Sequence, residues 1–109
     1  MALIFVVDAI TAQPGKAGAV LDAYMRDYAP AARERGMTLE QKLITPPIVL
    51  KGSGMNRLTF IWSLPSLDGW WRMRFTAAFD PRITAFWTAL KPLIANRERH
   101  AHEEVADHV

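Results

Sequence analysis

Asp8 is the one acidic residue inside an apolar run, "MALIFVVDAI". A carboxylate there has two readings. Facing a packed layer, it would be desolvated, its pKa would rise, and it would become a candidate general base. At the end of a strand it would sit in water. That solvated reading is preferred, because an unpaired Asp is seldom buried. Tyr24 and Tyr28 lie one helical turn apart and face the same way. They read as core rings with a wet tip, or as two hydroxyls in a cleft. Arg72 and Arg74 diverge on a helix, so only one can point inward. Arg74 is the better candidate, as an ion-pair partner first and an anion clamp second.

The tail "NRERHAHEEVADHV" raises a metal question. As a strand it puts Glu98, His100, His102 and Glu104 on one face; as a helix it groups His100, Glu103, Glu104 and Asp107. A His-x-His pair on a strand can chelate an ion. No ligand pair elsewhere completes such a site, so His100 and His102 read as part of a solvated terminal segment, irregular from about residue 100, and no metal or cofactor is expected. There is no Ser-His-Asp set. The Gly-Ser-Gly at 52–54 lacks the Lys-Ser/Thr that follows in a phosphate-binding loop. The stretch "DGWWRMRFTAAFDPRITAFW" holds three of the four Trp. Trp71, Phe75 and Ala78 share one helical face, with Trp70, Arg74 and Ala77 beside it, and packing accounts for most of these aromatics.

These groups need elements to hold them. Residues 3–7, "LIFVV", are apolar throughout, which suits a strand covered on both faces. "QPGK" turns the chain. From 16 to 35, Val20, Leu21, Tyr24 and Tyr28 form one helical stripe. Pro30 lacks the N–H for the bond to Arg26, so it should kink or restart that helix. Gly36 suits the left-handed position after the helix end. "MTLEQKLIT" reads as a half-exposed strand with Leu39 and Leu43 on one face. Pro46-Pro47 interrupts it, and "IVLKGSG" reads as a short continuation and a turn. "NRLTFIWSL" is a second strongly apolar strand. Ser66 is a natural N-cap, and Asp80-Pro81 starts another helix carrying Ile83, Phe86, Trp87 and Leu90. Lys91-Pro92 breaks or kinks that helix. The order is the βαββαβ pattern of a ferredoxin-like α+β sandwich, an antiparallel sheet with helices on one face. Strands one and three are apolar on both faces, so a second copy of the chain is the simplest cover for the other side.

Bulk composition narrows the classes. The 109 residues favour one domain, 1–109. Thirteen basic and eleven acidic residues are scattered, which gives nucleic-acid binding little support. There is no Cys, which excludes disulfides and thiolate chemistry and is compatible with a cytoplasmic location. The N-terminal run lacks a basic flank, so it reads as a strand and not a signal peptide. No apolar run approaches the roughly 20 residues of a membrane span.

From Pro14 onward the chain resembles the NIPSNAP family of dimeric α+β barrel proteins. "QPGKAGAVLDAY" is similar to the family's "PGK" turn and first helix, and "GMNRLTFIWSLPSL" to its Gly-x-x-Asn turn, Trp-ending strand and Ser-Leu helix start. Trp62, Ser66, Arg74, Asp80, Pro81 and Phe86 match the family pattern without a gap. Asp8 and Ile10 stand where Arg and Tyr are frequent, Leu64 and Ile83 where an aromatic is usual, and Trp70 where Arg is common. "PPIVLKGSG" lengthens the connection into strand three. The resemblance therefore implies the dimeric barrel fold but no particular ligand. Related barrels include cofactor-independent monooxygenases, cyclases and lyases, an analogy at the level of fold.

The leading expectation is a homodimer that binds a small hydrophobic metabolite in an apolar pocket between sheet and helices. Tyr24, Tyr28, Trp62, Trp71 and Trp87 would line it, with Asp8 and Arg74 as polar anchors. One alternative is a cofactor-independent enzyme of monooxygenase, isomerase or cyclase type, acting on a small aromatic or polyketide-like substrate with Asp8 or a His as base. The other is a structural interaction module.

Overall fold

A computed structural model describes residues 2–105. Strand β1 covers Ile4–Ala12. A helical segment follows as α1 (Ala17–Ala23), a π-helical turn (Tyr24–Tyr28) and α2 (Ala29–Glu34). Strands β2 (Thr38–Thr45) and β3 (Arg57–Leu64) come next. Helices α3 (Leu67–Ala78) and α4 (Pro81–Leu90), a short 3₁₀ turn (Lys91–Leu93) and strand β4 (Ile94–Glu103) complete the order. The sheet runs β2-β3-β1-β4, and each strand is antiparallel to its neighbours. With all helices on one face, this is the ferredoxin-like α+β arrangement. No helix among the described residues is long and apolar enough to cross a membrane.

Alternation along β1 sets the layers. Ile4, Val6, Asp8, Ile10 and Ala12 are buried beneath the helices, while Phe5, Val7 and Thr11 are half-buried on the open face. β3 repeats the pattern, with Leu58, Phe60, Trp62 and Leu64 buried and Thr59 and Ile61 partly so. Burying each such aliphatic or aromatic side chain is worth about 1.5–3 kcal/mol, so this inner face is the main source of stability.

Three expectations change, and the expected restart of the helix at Pro30 holds. β1 does not stop at Val7 but pairs with both neighbours through Thr11, which makes Asp8 the middle of the strand. The helix restarts after a π turn, in which the Ala29 N–H reaches back to the Tyr24 carbonyl, and Pro30 occupies the first turn of α2 where no N–H is needed. A register shift between Leu39 and Gln41 places Leu39 opposite buried Trp62 and Leu43 opposite Thr59, so the two leucines lie on opposite faces. The tail becomes β4 up to Glu103, with Glu98, His100 and His102 on the open face and Arg97, Arg99 and Ala101 beneath the helices. Glu104 lies just beyond the strand, and Asp107 lies outside the described residues.

The turns follow the sequence signals. Gly36 has φ 90° after α2, and Ser66 Oγ accepts from the Gly69 N–H at 3.1 Å to cap α3. Buried Asn56 ties down the long 46–56 connection. Its amide donates to the Ile48 carbonyl and its oxygen accepts from the Leu50 N–H, both at 2.8 Å.

Candidate functional site

β1 lies between β3 and β4, so Asp8 is flanked by Phe60 on one side and Arg99 on the other. Phe60 stacks on the Tyr24 ring at 3.7 Å between centroids, which carries the Tyr24 hydroxyl over Asp8. The hydroxyl donates to Asp8 Oδ2 at 2.7 Å and accepts from Trp62 Nε1 at 2.7 Å. From β4, Arg99 Nε donates to Asp8 Oδ1 at 2.6 Å and Nη2 to Oδ2 at 2.7 Å. Nη2 also contacts the Tyr28 hydroxyl. The result is a directed chain from Trp62 through Tyr24 to Asp8, closed on the other side by a two-pronged guanidinium.

Asp8 thus faces the helices, fully buried, and not water. The solvated reading fails because the strand continues past it and because β4 supplies a cation. Arg99 was not singled out in the sequence. One signal was available: a lone Asp in a buried strand requires a positive partner, and Arg97 and Arg99 share the strand face opposite His100 and His102. Only the β1–β4 register selects between them.

Electrostatics lock the cluster. Burial raises the Tyr24 hydroxyl well above the usual tyrosine range, and the Asp8 charge pushes it further, so Tyr24 keeps its proton. Burial alone would lower Arg99, but hydrogen bonds and charge from Asp8 outweigh it and hold the guanidinium above its ordinary value. Burial pushes neighbouring Arg97 down. Its guanidinium carbon lies over the Trp87 ring, 3.5 Å from the centroid.

Tyr24, Tyr28 and Trp62 pack against one another, and Trp87 is partly buried against both tyrosines. Trp71 is not among them. It sits on the outer side of α3, 49% exposed, because Met73, Trp70 and Ala77 form the side that meets the sheet. A cleft of about 270 Å³ lies beside the aromatic cluster, between α3 and the sheet. Val6 and Arg99 belong to its sheet side, Trp70, Met73 and Ala77 to its helix side, and Arg74 to its rim. Arg74 rests over Trp70 at 5.3 Å, so its nearest partner is an aromatic face and not the expected ion pair. His100 and His102 are exposed on the far side of the sheet, with ring centroids 6.3 Å apart. Among the described residues, no group of three or more metal-binding side chains is assembled.

No protein-family model matches the sequence, and no curated protein does. Solved structures do match. A NIPSNAP-family protein of unknown function from Agrobacterium tumefaciens is 17% identical, with a TM-score of 0.72 over 96% of this chain and 90% of that one. An uncharacterised NIPSNAP-domain protein from Burkholderia xenovorans is 16% identical, with a TM-score of 0.73 over 95% and 96%. A putative antibiotic biosynthesis monooxygenase from Nitrosomonas europaea is 9% identical, with a TM-score of 0.66 over 96% and 92%. The chain therefore has the ferredoxin-like α+β fold of the solved NIPSNAP-family proteins, shared also with a monooxygenase-like neighbour.

Proposed function

We propose that the cleft between α3 and the sheet binds a small organic anion with an apolar or aromatic body, and that the protein acts as a homodimer packed through its open sheet faces. The observation that carries the first part is the state of Arg99. Its Nε and Nη2 are fixed by Asp8 and Tyr28, its Nη1 has no acceptor among the described residues, and its side chain is 29% exposed where it lines the cleft. A guanidinium already held in place loses little freedom on meeting a carboxylate. Trp70, Met73 and Ala77 offer apolar contact to the rest of the ligand, and Arg74 offers a second positive group.

An enzyme reading draws on the monooxygenase-like neighbour. It needs a free base, and buried Asp8 and Tyr24 are both engaged. Asp8 accepts three hydrogen bonds, and Tyr24 holds its proton. Binding is the better description.

Thermal melts with benzoate, phenylacetate and their neutral amides test this. The carboxylates should stabilise the protein, by about 2.7 kcal/mol at a hundredfold excess over Kd. Arg74→Met, at an exposed position, should weaken that gain. Equal effects from acids and amides, or none from either, would sink the proposal.

A further inference from the structure

Leu67, Trp71, Phe75 and Phe79 recur at every fourth residue along α3 and the turn that ends it. They are exposed to 49%, 49%, 67% and 85%. The buried side of the same helix is made by Trp70, Met73 and Ala77. At 100° per residue the exposed stripe points almost opposite to that side. It presents roughly 500 Å² of apolar surface, taking 150–250 Å² per aromatic side chain. That lies at the upper end of what a soluble monomer leaves open, and it is concentrated on one convex helix.

Charge identifies the occupant. Arg72 lies on one shoulder of the stripe and Arg74 on the other, both exposed. Asp68 stands at the start of the helix, and Asp80, after its end, is engaged by Arg82 at 2.8 Å. Crossing two copies of α3 about a twofold axis would bring the Arg72 and Arg74 pairs together at the centre of the contact, with no carboxylate between them. A second copy is therefore a poor fit. Anionic headgroups above acyl chains are a good one, since rings can enter at headgroup depth while guanidinium groups reach lipid phosphates. The 12-residue helix is about 18 Å long, too short to span a bilayer, so it would lie in the plane.

We propose that α3 is a peripheral membrane contact for bilayers carrying anionic phospholipid, with Leu67, Trp71, Phe75 and Phe79 inserted and Arg72 and Arg74 on lipid phosphates. Co-sedimentation of the full chain with vesicles decides it. The protein should pellet with vesicles of equimolar phosphatidylcholine and phosphatidylglycerol, and more weakly with phosphatidylcholine alone or at raised salt. Phe75→Ser and Phe79→Ser should each weaken binding about tenfold, with little change in melting temperature. Arg72→Glu should weaken it about fivefold or more on the anionic vesicles only. Failure to pellet with the anionic vesicles would overturn the proposal, as would binding that survives the double Phe substitution. Growth in mass without lipid that depends on the stripe would also overturn it, and would make the occupant a second copy.

Discussion

Asp8 holds Arg99 and Tyr24 in place, so its contribution can be measured as a coupling. Asp8→Asn keeps the shape but leaves a largely buried guanidinium without its counter-charge. Breaking a buried pair in this way costs about 3–5 kcal/mol, and the partial exposure of Arg99 puts the expected loss near 3. Arg99→Met should also destabilise strongly, and the double variant should lose much less than the sum of the two in denaturant melts. Additive losses would mean that the pair is not coupled. The Tyr24 hydroxyl adds a pH signature. Its folded pKa is raised above the unfolded 10.0, so its contribution is fully present below pH 10.0 and is lost as pH rises towards the folded value. Tyrosinate absorbance should therefore show one hydroxyl that ionises only as the protein unfolds, and Tyr24→Phe should remove that step. Asp8 was visible in the sequence as an anomaly. Its partner was not, because Arg99 is 91 residues away and only sheet register joins them.

At the scale of elements, Asp80 joins three helices. It caps α4 by accepting from the Arg82 N–H at 2.9 Å, and it also binds the Arg82 side chain. Arg82 in turn reaches Glu34 of α2 at 2.9 Å. Arg35, just past α2, has a buried guanidinium that makes no hydrogen bond among the described residues. The Asp80 carboxylate at 3.8 Å and the Tyr28 ring at 5.7 Å are its neighbours. Hydrogen bonds from Arg82 lower Asp80 from 3.8 to about 2. A depressed carboxylate contributes stability above its unfolded pKa and loses it as pH falls through the folded one. Asp80→Asn should therefore melt at a lower temperature than the natural chain at neutral pH, and the gap should close between pH 3.8 and about 2. A gap independent of pH would remove the charge from this account. The Asp-Pro helix start was legible in the sequence, since an N-cap is local chemistry. The buried Arg35 was not, since nothing local distinguishes it from Arg33.

The molecule is thin, 18 Å in its smallest dimension, and its described residues form one sheet and one layer of helices. Phe5, Val7 and Ile61 lie on the open face, with Leu43 48% exposed beside them. On the proposed dimer these faces meet, in an interface that for obligate pairs often exceeds about 2,000 Å². Folding and association would then be coupled, and the melting temperature should rise with protein concentration. Val7→Lys should give aggregate or unfolded chain. Sedimentation equilibrium at low micromolar concentration should find twice the 12.3 kDa chain mass. A 12.3 kDa species with a concentration-independent melt would refute the pairing.

The sequence by itself determined the order of elements as far as α4, the ferredoxin-like pattern that order points to, and the apolar character of β1 and β3 on both faces. Those follow from apolar periodicity and from turn residues such as Gly36, Asn56 and Ser66, all of which act within a few positions along the chain. Tertiary structure decided which aromatics are buried. α3 carries two apolar stripes, and only packing on the sheet selects Met73 with Trp70 and Ala77 over Trp71 with Phe75. It also decided that Asp8 is paired and that the tail is a strand, because both depend on β4 aligning with β1. A register between segments some ninety residues apart is set by the whole buried face, not by any local pattern.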